Sequence, residues 1–178
     1  MSHESMDQVK PPEPTHAPHA PAQGPAAMDA FEQKVFKRWQ NVSVVTPYSR
    51  ELGLRLQSVN PKWCVLEVPY QERLVGNLAT GVLHGGVITA MIDSCFGLCI
   101  FVYTRQLRRM VTMDLRIDYL KPATPGRSVF AGATCYKVTH ELAFVRGSAY
   151  HDTPDDPIAT SQAIFMFTGG PVVDFKDS

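Results

Sequence analysis

Hydrophobic residues recur along this chain first at helical and then at strand spacing, and the two patterns predict an ordered series of elements. Residues 28–41 carry Phe31, Val35 and Trp39 at intervals of about four, which predicts a short amphipathic helix. A turn or short helical piece is expected at 47–53. Alternating apolar and polar positions then predict two strands around an Asn-Pro turn, at 54–59 and 63–70.

The longest apolar run of the chain covers residues 82–103, VLHGGVITAMIDSCFGLCIFVY, and follows a loop at 71–81. It predicts a central helix that begins at Gly85 and Gly86. A helix that is apolar on almost every face is expected to be buried. Asp93 lies midway along it, and a buried carboxylate is costly unless another group satisfies it or the chemistry uses it.

Four further strands are predicted after this helix. A polar connection at 104–109 leads to a strand at 110–120 with strict alternation. Its two faces are expected to carry Val111, Met113, Leu115, Ile117 and Tyr119 on one side, and Thr112, Asp114, Arg116 and Asp118 on the other. The remaining strands are predicted at 128–139, 143–152 and 158–167.

This order of elements predicts an α+β fold in which a long central helix is wrapped by a curved antiparallel sheet. Short turns between the last strands favour antiparallel neighbours. We expect a disordered tail at 1–27, one domain at 28–170, and a C-terminal tail at 171–178 after a stop at Gly169-Gly170-Pro171. The helix surface that the sheet leaves open is expected to meet a second copy of the chain.

The composition of the chain limits the classes of partner molecule and the cellular compartment that we expect for it. The 178 residues contain 17 Lys plus Arg and 17 Asp plus Glu, so no charge excess favours nucleic acid or an anionic membrane surface. Residues 82–103 are long enough to cross a bilayer, but two glycines and Asp93 argue against a span. The four cysteines form no C-x-x-C pair, which is typical of a reducing compartment, and we expect a cytoplasmic protein with no signal peptide.

The spacing within the central helix constrains any shared chemistry. Two glycines at a helix start can offer backbone N–H groups to an anion or a carbonyl. Asp93 lies seven residues after Gly86, about 10 Å along the axis. A carbonyl held by the glycine N–H groups would therefore lie too far from the Asp93 of the same chain. If the two groups act on one substrate, two helices must contribute, as in a symmetric dimer.

Two segments resemble a known family. Residues 75–97, VGNLATGVLHGGVITAMIDSCFG, are similar to the hotdog-fold acyl-CoA thioesterases of the phenylacetyl-CoA (PaaI) type, which carry an Asn-containing loop, then HGG, then an acid nine residues after the His. The stretch VTMDLRIDYLKPATPG resembles that family's following strand, which ends in Tyr-Leu-x-Pro-Ala-x-x-Gly. The resemblance covers roughly residues 45–168 and implies a hotdog fold.

The resemblance implies roles for the helix residues. Gly85 and Gly86 would present backbone N–H groups to the thioester carbonyl and stabilise the oxyanion. Asp93 of the partner subunit would act as a general base on water, or as a nucleophile that forms an anhydride. The structural alternative is an Asp93 that caps backbone groups or pairs with an arginine.

Three further residues occupy positions that matter in the resembling family. His84 would orient the loop or the substrate, although a histidine at a helix start is often structural. Asn77 would position the carbonyl or the water, but here it lies seven residues before His84, where many relatives have six. Thr112 would help to hold the attacking water, and the alternative is an ordinary strand threonine.

Substrate contacts are expected from an apolar side chain and from cations that suit the phosphates of coenzyme A. Val87 would line the acyl pocket. The cations expected to contact these phosphates are Arg109, Arg116 and Lys121, and the wider set of candidates also includes Arg105, Arg108 and Arg127.

The expected function is hydrolysis of acyl-CoA thioesters to free acid and CoA, by a homodimer or a dimer of dimers. No metal or other cofactor is expected. The alternatives are an acyl-CoA-binding hotdog protein without turnover and a hotdog dehydratase. The acyl group, and the choice between CoA and a protein-bound carrier, stay open at this point.

Overall fold

The computed structural model describes residues 28–39 and 46–174, without the side chains of 171–174. The predicted tail at 1–27 therefore lies outside the described residues. The helices are α1 (Ala30–Trp39), α2 (Pro47–Leu52) and α3 (Gly85–Thr104), with a 3-10 turn at Glu72–Leu74. The strands are β1 (Arg55–Ser58), β2 (Cys64–Val68), β3 (Val75–Asn77), β4 (Val82–Leu83), β5 (Gln106–Tyr119), β6 (Val129–Val138), β7 (Leu142–Tyr150) and β8 (Ala159–Asp174).

Six strands form one antiparallel sheet in the order β1-β2-β6-β7-β8-β5. The predicted α+β architecture is therefore confirmed. The prediction of a plain loop at 71–81 was incomplete, because β3 lies within this range and pairs with β4 in a small separate hairpin. Val82 and Leu83 of the apolar run belong to this hairpin, and the central helix begins at Gly85, as predicted.

α3 packs across the inner face of the sheet and supplies much of the core. Phe96 is 1% exposed, and it lies where a Cβ on Gly147 of β7 would come within 2.9 Å of its ring. The absence of a side chain at Gly147 therefore lets the helix approach the sheet closely. α3 is long and apolar enough to cross a bilayer, but here it is the core helix of the fold, with 61% of its most apolar stretch buried.

The sheet of one chain covers only part of α3, and the contact of the remaining surface with a second copy stays a prediction. Between residues 85 and 97 the helix residues that stay partly or fully exposed recur at helical spacing and are small or polar. They are Gly85, Gly86, Thr89, Ala90, Asp93, Ser94 and Gly97, which we call the open stripe of α3. The chain thus presents a helix face that its own sheet does not cover.

β5 begins at Gln106, directly after Arg105, so the predicted polar connection at 104–109 is in fact mostly strand. Arg105 takes a left-handed conformation that ends α3, and its guanidinium pairs with Asp29. Arg108 lies over the Phe167 ring at 3.8 Å. These two of the three arginines in this short run therefore tie elements of the fold together without a ligand.

A β-bulge in β5 overturns the predicted strict alternation. Thr112 pairs with Phe165, but Asp114 pairs with Ile164, so Met113 is an extra residue. Up to Thr112 the even-numbered residues face α3, and after the bulge the odd-numbered ones do. Thr112 therefore lies on the helix side together with Leu115, Ile117 and Tyr119, whereas Val111 lies on the outer face.

The last strand does not stop at Gly169-Gly170-Pro171, contrary to the prediction. Backbone pairing continues from Arg108 opposite Pro171 to Gln106 opposite Asp174. Irregular register between Leu107 and Met110 lets the paired strands pass the glycines and the proline. The sheet thus extends four residues beyond the predicted domain end at 170.

Candidate active site

The β3–β4 hairpin fixes the residue that precedes α3. The His84 N–H donates to the Leu74 carbonyl at 2.9 Å. Gly76 of β3 passes so close that a Cβ there would lie 2.7 Å from the Cα of His84. A glycine at this position therefore allows the hairpin backbone to lie directly against the helix start.

His84 is the N-cap of α3. Its Nδ1 accepts a hydrogen bond from the Gly86 N–H at 2.9 Å, and its carbonyl accepts from the Val87 N–H at 2.9 Å. Among the residues that the structure describes, none accepts from the Gly85 N–H. One donor at the positive end of the helix is thus open, whereas both glycines were expected to be. Since Nδ1 accepts, the neutral ring of exposed His84 carries its proton on Nε2.

The Gly85 carbonyl is held from the opposite direction. The Tyr119 hydroxyl donates to it at 2.7 Å, and the Thr89 hydroxyl donates to it at 3.3 Å. The two hydroxyl oxygens lie 3.0 Å apart. Sequence reasoning gave Tyr119 no role, and its sole signal was the Tyr-Leu-x-Pro pattern.

Asp93 lies on the open stripe, half-buried, with its carboxylate accepting a hydrogen bond from the Thr112 hydroxyl at 2.8 Å. The bulge after Thr112 keeps this side chain on the helix side of β5. No arginine pairs with Asp93 in the part of the chain described here. The Thr112 hydroxyl therefore fixes the carboxylate, no described arginine or lysine pairs with it, and solvent reaches one side of it.

The open N–H and the carboxylate are displaced along one helix. Gly85 and Asp93 are eight residues apart, which is about 12 Å along the axis. A carbonyl at hydrogen-bonding distance from the Gly85 N–H thus lies beyond reach of the same chain's carboxylate. The two groups share the open stripe, so a second helix laid along it can bring the donor of one chain to the acid of the other.

A cavity of about 270 Å³ opens beside the start of α3. Gly85 and Ile88 line it from the helix, and Tyr119 lines it from β5. The other lining residues are Val82, Leu83, Leu120, Lys121, Pro122 and Ala123. Apart from Lys121 and the Tyr119 hydroxyl these side chains are apolar, so the cavity suits a hydrocarbon group.

Comparison with known proteins identifies the family. The family model described as "Thioesterase superfamily" matches residues 80–158. The medium/long-chain acyl-CoA thioesterase YigI of Escherichia coli K12 is 31% identical over an alignment of 133 residues that covers 67% of this chain and 84% of YigI. The chain belongs to the thioesterase superfamily. The expected enzyme class, a thioester hydrolase, is thereby confirmed.

Solved structures that resemble this chain agree with the fold. A crystal structure of a Pseudomonas aeruginosa protein is 36% identical, with a TM-score of 0.66 over 74% of this chain and 98% of that one. The E. coli PaaI protein is 15% identical, with a TM-score of 0.68 over 81% of this chain and all of that one, and shows the fold alone. The predicted hotdog fold is confirmed.

Asn77 is the exposed last residue of β3, directly before the turn of the β3–β4 hairpin. Its Oδ1 accepts from the Ala79 N–H at 3.0 Å, and its carbonyl accepts from the Thr80 and Gly81 N–H groups. The side chain thus shapes the turn. Leu78, at the tip, is 93% exposed.

Of the four residues predicted to bind substrate, Lys121 lines the cavity and the other three do not. Arg116 lies on the outer face of the sheet, where it binds Asp118 at 3.1 Å, so the structure does not bring it to the Asp93 side. Val87 is 7% exposed and packs in the core. Arg109 is exposed and, like Arg116, lies on the outer face of β5, so the structure does not bring it to the Asp93 side either. Lys121 lines the cavity, although Asp156 pairs with its ammonium group.

Metal-binding and thiol chemistry find no support in the described residues. There, no group of three or more His, Cys, Asp or Glu side chains is arranged to hold a metal ion. All four cysteines are buried free thiols. Burial raises the pKa of Cys95 and Cys99 well above the usual thiol range, and it raises the pKa of Cys135 to about 11. These thiols are therefore poor nucleophiles.

Proposed function

We propose that this chain hydrolyses acyl-CoA thioesters to a free acid and CoA. The observation that carries the proposal is one helix face with an open N–H at Gly85 and a carboxylate at Asp93 held by Thr112. A donor for a developing oxyanion and an acceptor for a water proton are the two groups that thioester hydrolysis needs. The name of YigI supports acyl-CoA as the substrate.

We propose a homodimer as the working unit. β5 is an edge strand of 14 residues, and long edges are usually covered in native proteins. Large apolar side chains on it are more than 40% exposed, namely Leu107, Val111 and Met113. A second chain at this edge would cover the open stripe of α3 and bring the Asp93 of one subunit toward the Gly85 of the other. A dimer of dimers is compatible with this unit.

The chemistry follows from these positions. The thioester carbonyl accepts a hydrogen bond from the Gly85 N–H, with the positive end of α3 behind it. The partner's Asp93 takes a proton from water, whose oxygen attacks the carbonyl carbon while the carbonyl electrons move to the oxyanion. The tetrahedral intermediate then collapses, the C–S bond breaks, and the CoA thiolate leaves and is protonated. Direct attack by Asp93 through an anhydride uses the same geometry.

Two other residues of the helix start support the oxyanion in this scheme. The Gly86 N–H becomes a second donor when the His84 ring turns away from it. In its present position His84 instead offers its Nε2–H to the substrate. Thr112 holds the carboxylate, and through it the attacking water. We keep Asn77 as the residue that shapes the loop before the helix, which positions the substrate indirectly.

We propose that the cavity beside Gly85 takes the acyl chain. A methylene group occupies a volume similar to that of a water molecule, roughly 30 Å³, so about 270 Å³ holds a chain of medium length. Lys121 at its rim would meet a CoA phosphate, whereas Val87 packs in the core and does not line the cavity. No metal or cofactor takes part in this scheme, and buried free thiols support a cytoplasmic location.

The test is thiol release from a panel of short, medium, long and aromatic acyl-CoA thioesters. We expect turnover with the highest kcat/KM for medium chains. Binding of several acyl-CoAs without any thiol release would favour a binding protein and overturn hydrolysis. Loss of water from 3-hydroxyacyl-CoA without thiol release would favour a dehydratase. The same panel on a phosphopantetheinyl carrier protein decides between the two thiol carriers.

A further inference from the structure

The open N–H at the start of α3 belongs to Gly85, whose backbone is not restrained by a side chain of its own. Gly85 has no side chain, and glycine backbone explores more conformations than any other residue. Its N–H has no acceptor among the described residues. The peptide that carries this N–H is tied within the helix start, because the His84 carbonyl accepts from the Val87 N–H, and the tie of Gly85 to the sheet is made through its own carbonyl.

Besides its main-chain bond within α3, that carbonyl accepts from two hydroxyls, and the bond from Tyr119 is the shorter of the two. Its hydrogen bond from the Tyr119 hydroxyl measures 2.7 Å, whereas that from Thr89 measures 3.3 Å. A threonine hydroxyl bonded to the carbonyl four residues earlier is common in helices and ties the helix only to itself. Tyr119 comes from β5, so its bond fixes Gly85 relative to the sheet.

The same strand also holds the acid. Thr112 of β5 donates to Asp93, and Tyr119 of β5 donates to Gly85. The bulge at Met113 is what places both side chains on the helix side of the strand. β5 therefore sets the positions of the two groups that the proposed hydrolysis requires in each subunit.

We propose that Tyr119 is a positioning residue of the hydrolytic site, which aims the Gly85 N–H at the thioester carbonyl by holding the Gly85 carbonyl. The inference rests on the proposed function. A donor that is displaced by a fraction of an ångström loses much of its stabilisation of the oxyanion, but it costs little in binding of the ground state.

The experiment replaces Tyr119 by Phe, which removes the hydroxyl and keeps the ring that lines the cavity. Tyr136→Phe is the matched control, because Tyr136 is 51% exposed and Tyr119 49%, and Tyr136 lies on β6 away from α3. Measurements are kcat, the Kd of a non-hydrolysable thioether analogue of an acyl-CoA, and the amide ¹⁵N shift of Gly86, whose peptide contains the Gly85 carbonyl. Thr89→Val is a second variant.

We expect Tyr119→Phe to lower kcat about tenfold, with the Kd of the analogue within about twofold of wild type. The Gly86 ¹⁵N shift should move in this variant and stay in Tyr136→Phe. Thr89→Val should lower kcat about threefold, since its bond to the carbonyl is longer. A kcat within twofold of wild type in both variants would overturn the inference, as would a parallel loss of kcat and analogue binding. Absence of turnover in wild type and Tyr136→Phe would instead overturn the proposed function.

Discussion

Replacing Asp93 by Asn removes the proposed proton acceptor with the least change in structure. The amide has nearly the same size, and its oxygen can still accept the hydrogen bond that the Thr112 hydroxyl donates at 2.8 Å. Asp93 makes no described ion pair, so its loss leaves no buried cation without a partner. The variant should therefore fold with a melting temperature close to that of wild type.

The expected loss of rate follows from the role of the carboxylate. A positioned general base contributes about 10²–10⁴ in rate, or about 3–5 kcal/mol of barrier. Asp93 is half-buried and solvent still reaches it, which favours the lower end of that range. We therefore expect kcat of Asp93→Asn to fall at least about a hundredfold. A nucleophilic Asp93 would give the same or a larger loss.

The assay follows the thiol of released CoA with a chromogenic disulfide. The four cysteines of the chain are buried and should react slowly, so they add little background. Asp114→Asn is the matched control, because Asp114 lies on the same strand as Thr112 but on the outer face of the sheet, beyond the bulge. If Asp93→Asn keeps more than a tenth of the wild-type kcat, the role assigned to the carboxylate is refuted.

Three further predictions concern the backbone and the core. Gly85→Pro should lower kcat about a hundredfold in the thiol-release assay while the helix persists, because proline is tolerated at the first helical position but has no N–H; retention of a third of wild-type kcat would contradict this. Gly147→Ala should lower the free energy of unfolding in urea by about 1–3 kcal/mol, because its Cβ would overlap the Gly132 carbonyl oxygen. Gly169→Ala is the control: a Cβ there would have nothing within 4 Å, so the free energy of unfolding should change by less than about 0.5 kcal/mol. Burial raises the pKa of Tyr150 from 10.0 to about 12, so the tyrosine ionises at lower pH in the unfolded chain than in the folded one. Its contribution to stability is therefore present below pH 10 and should be lost as the pH rises toward 12. Urea unfolding should show a smaller loss of stability over this range in Tyr150→Phe, and equal losses in the variant and the wild type would contradict the assignment.

Much of the fold could be predicted from periodicity alone. The central helix, its glycine start and its single acid were visible because a long apolar run is typical of a buried helix, and one carboxylate within such a run stands out. Short turns correctly indicated that β6, β7 and β8 are antiparallel neighbours, but they did not show that β5 pairs with β8 instead of β6. The expectation of two helices followed from the distance between the glycines and Asp93. It stays a prediction, and the open stripe of α3 offers a surface for it.

The details that complete the site depend on tertiary contacts that no spacing rule shows. The alternation of β5 predicted Thr112 on the face opposite Tyr119, and one extra residue at Met113 reversed that assignment. The occupation of the Gly86 N–H by His84 depends on a side-chain rotamer. The bond from Tyr119 to Gly85 joins residues 34 apart, and the sequence offered only the resemblance of the strand that carries it.

The central claim, that one reaction centre combines groups from two chains, is tested most directly by mixing two inactive variants. Asp93→Asn keeps the Gly85 donor, and Gly85→Pro keeps the acid, so a mixed dimer rebuilds one complete site and one with neither group. Random exchange of equal amounts should restore about a quarter of the wild-type activity per subunit. Activity that stays at the level of the separate variants, in a sample shown to contain mixed dimers, would contradict a shared site.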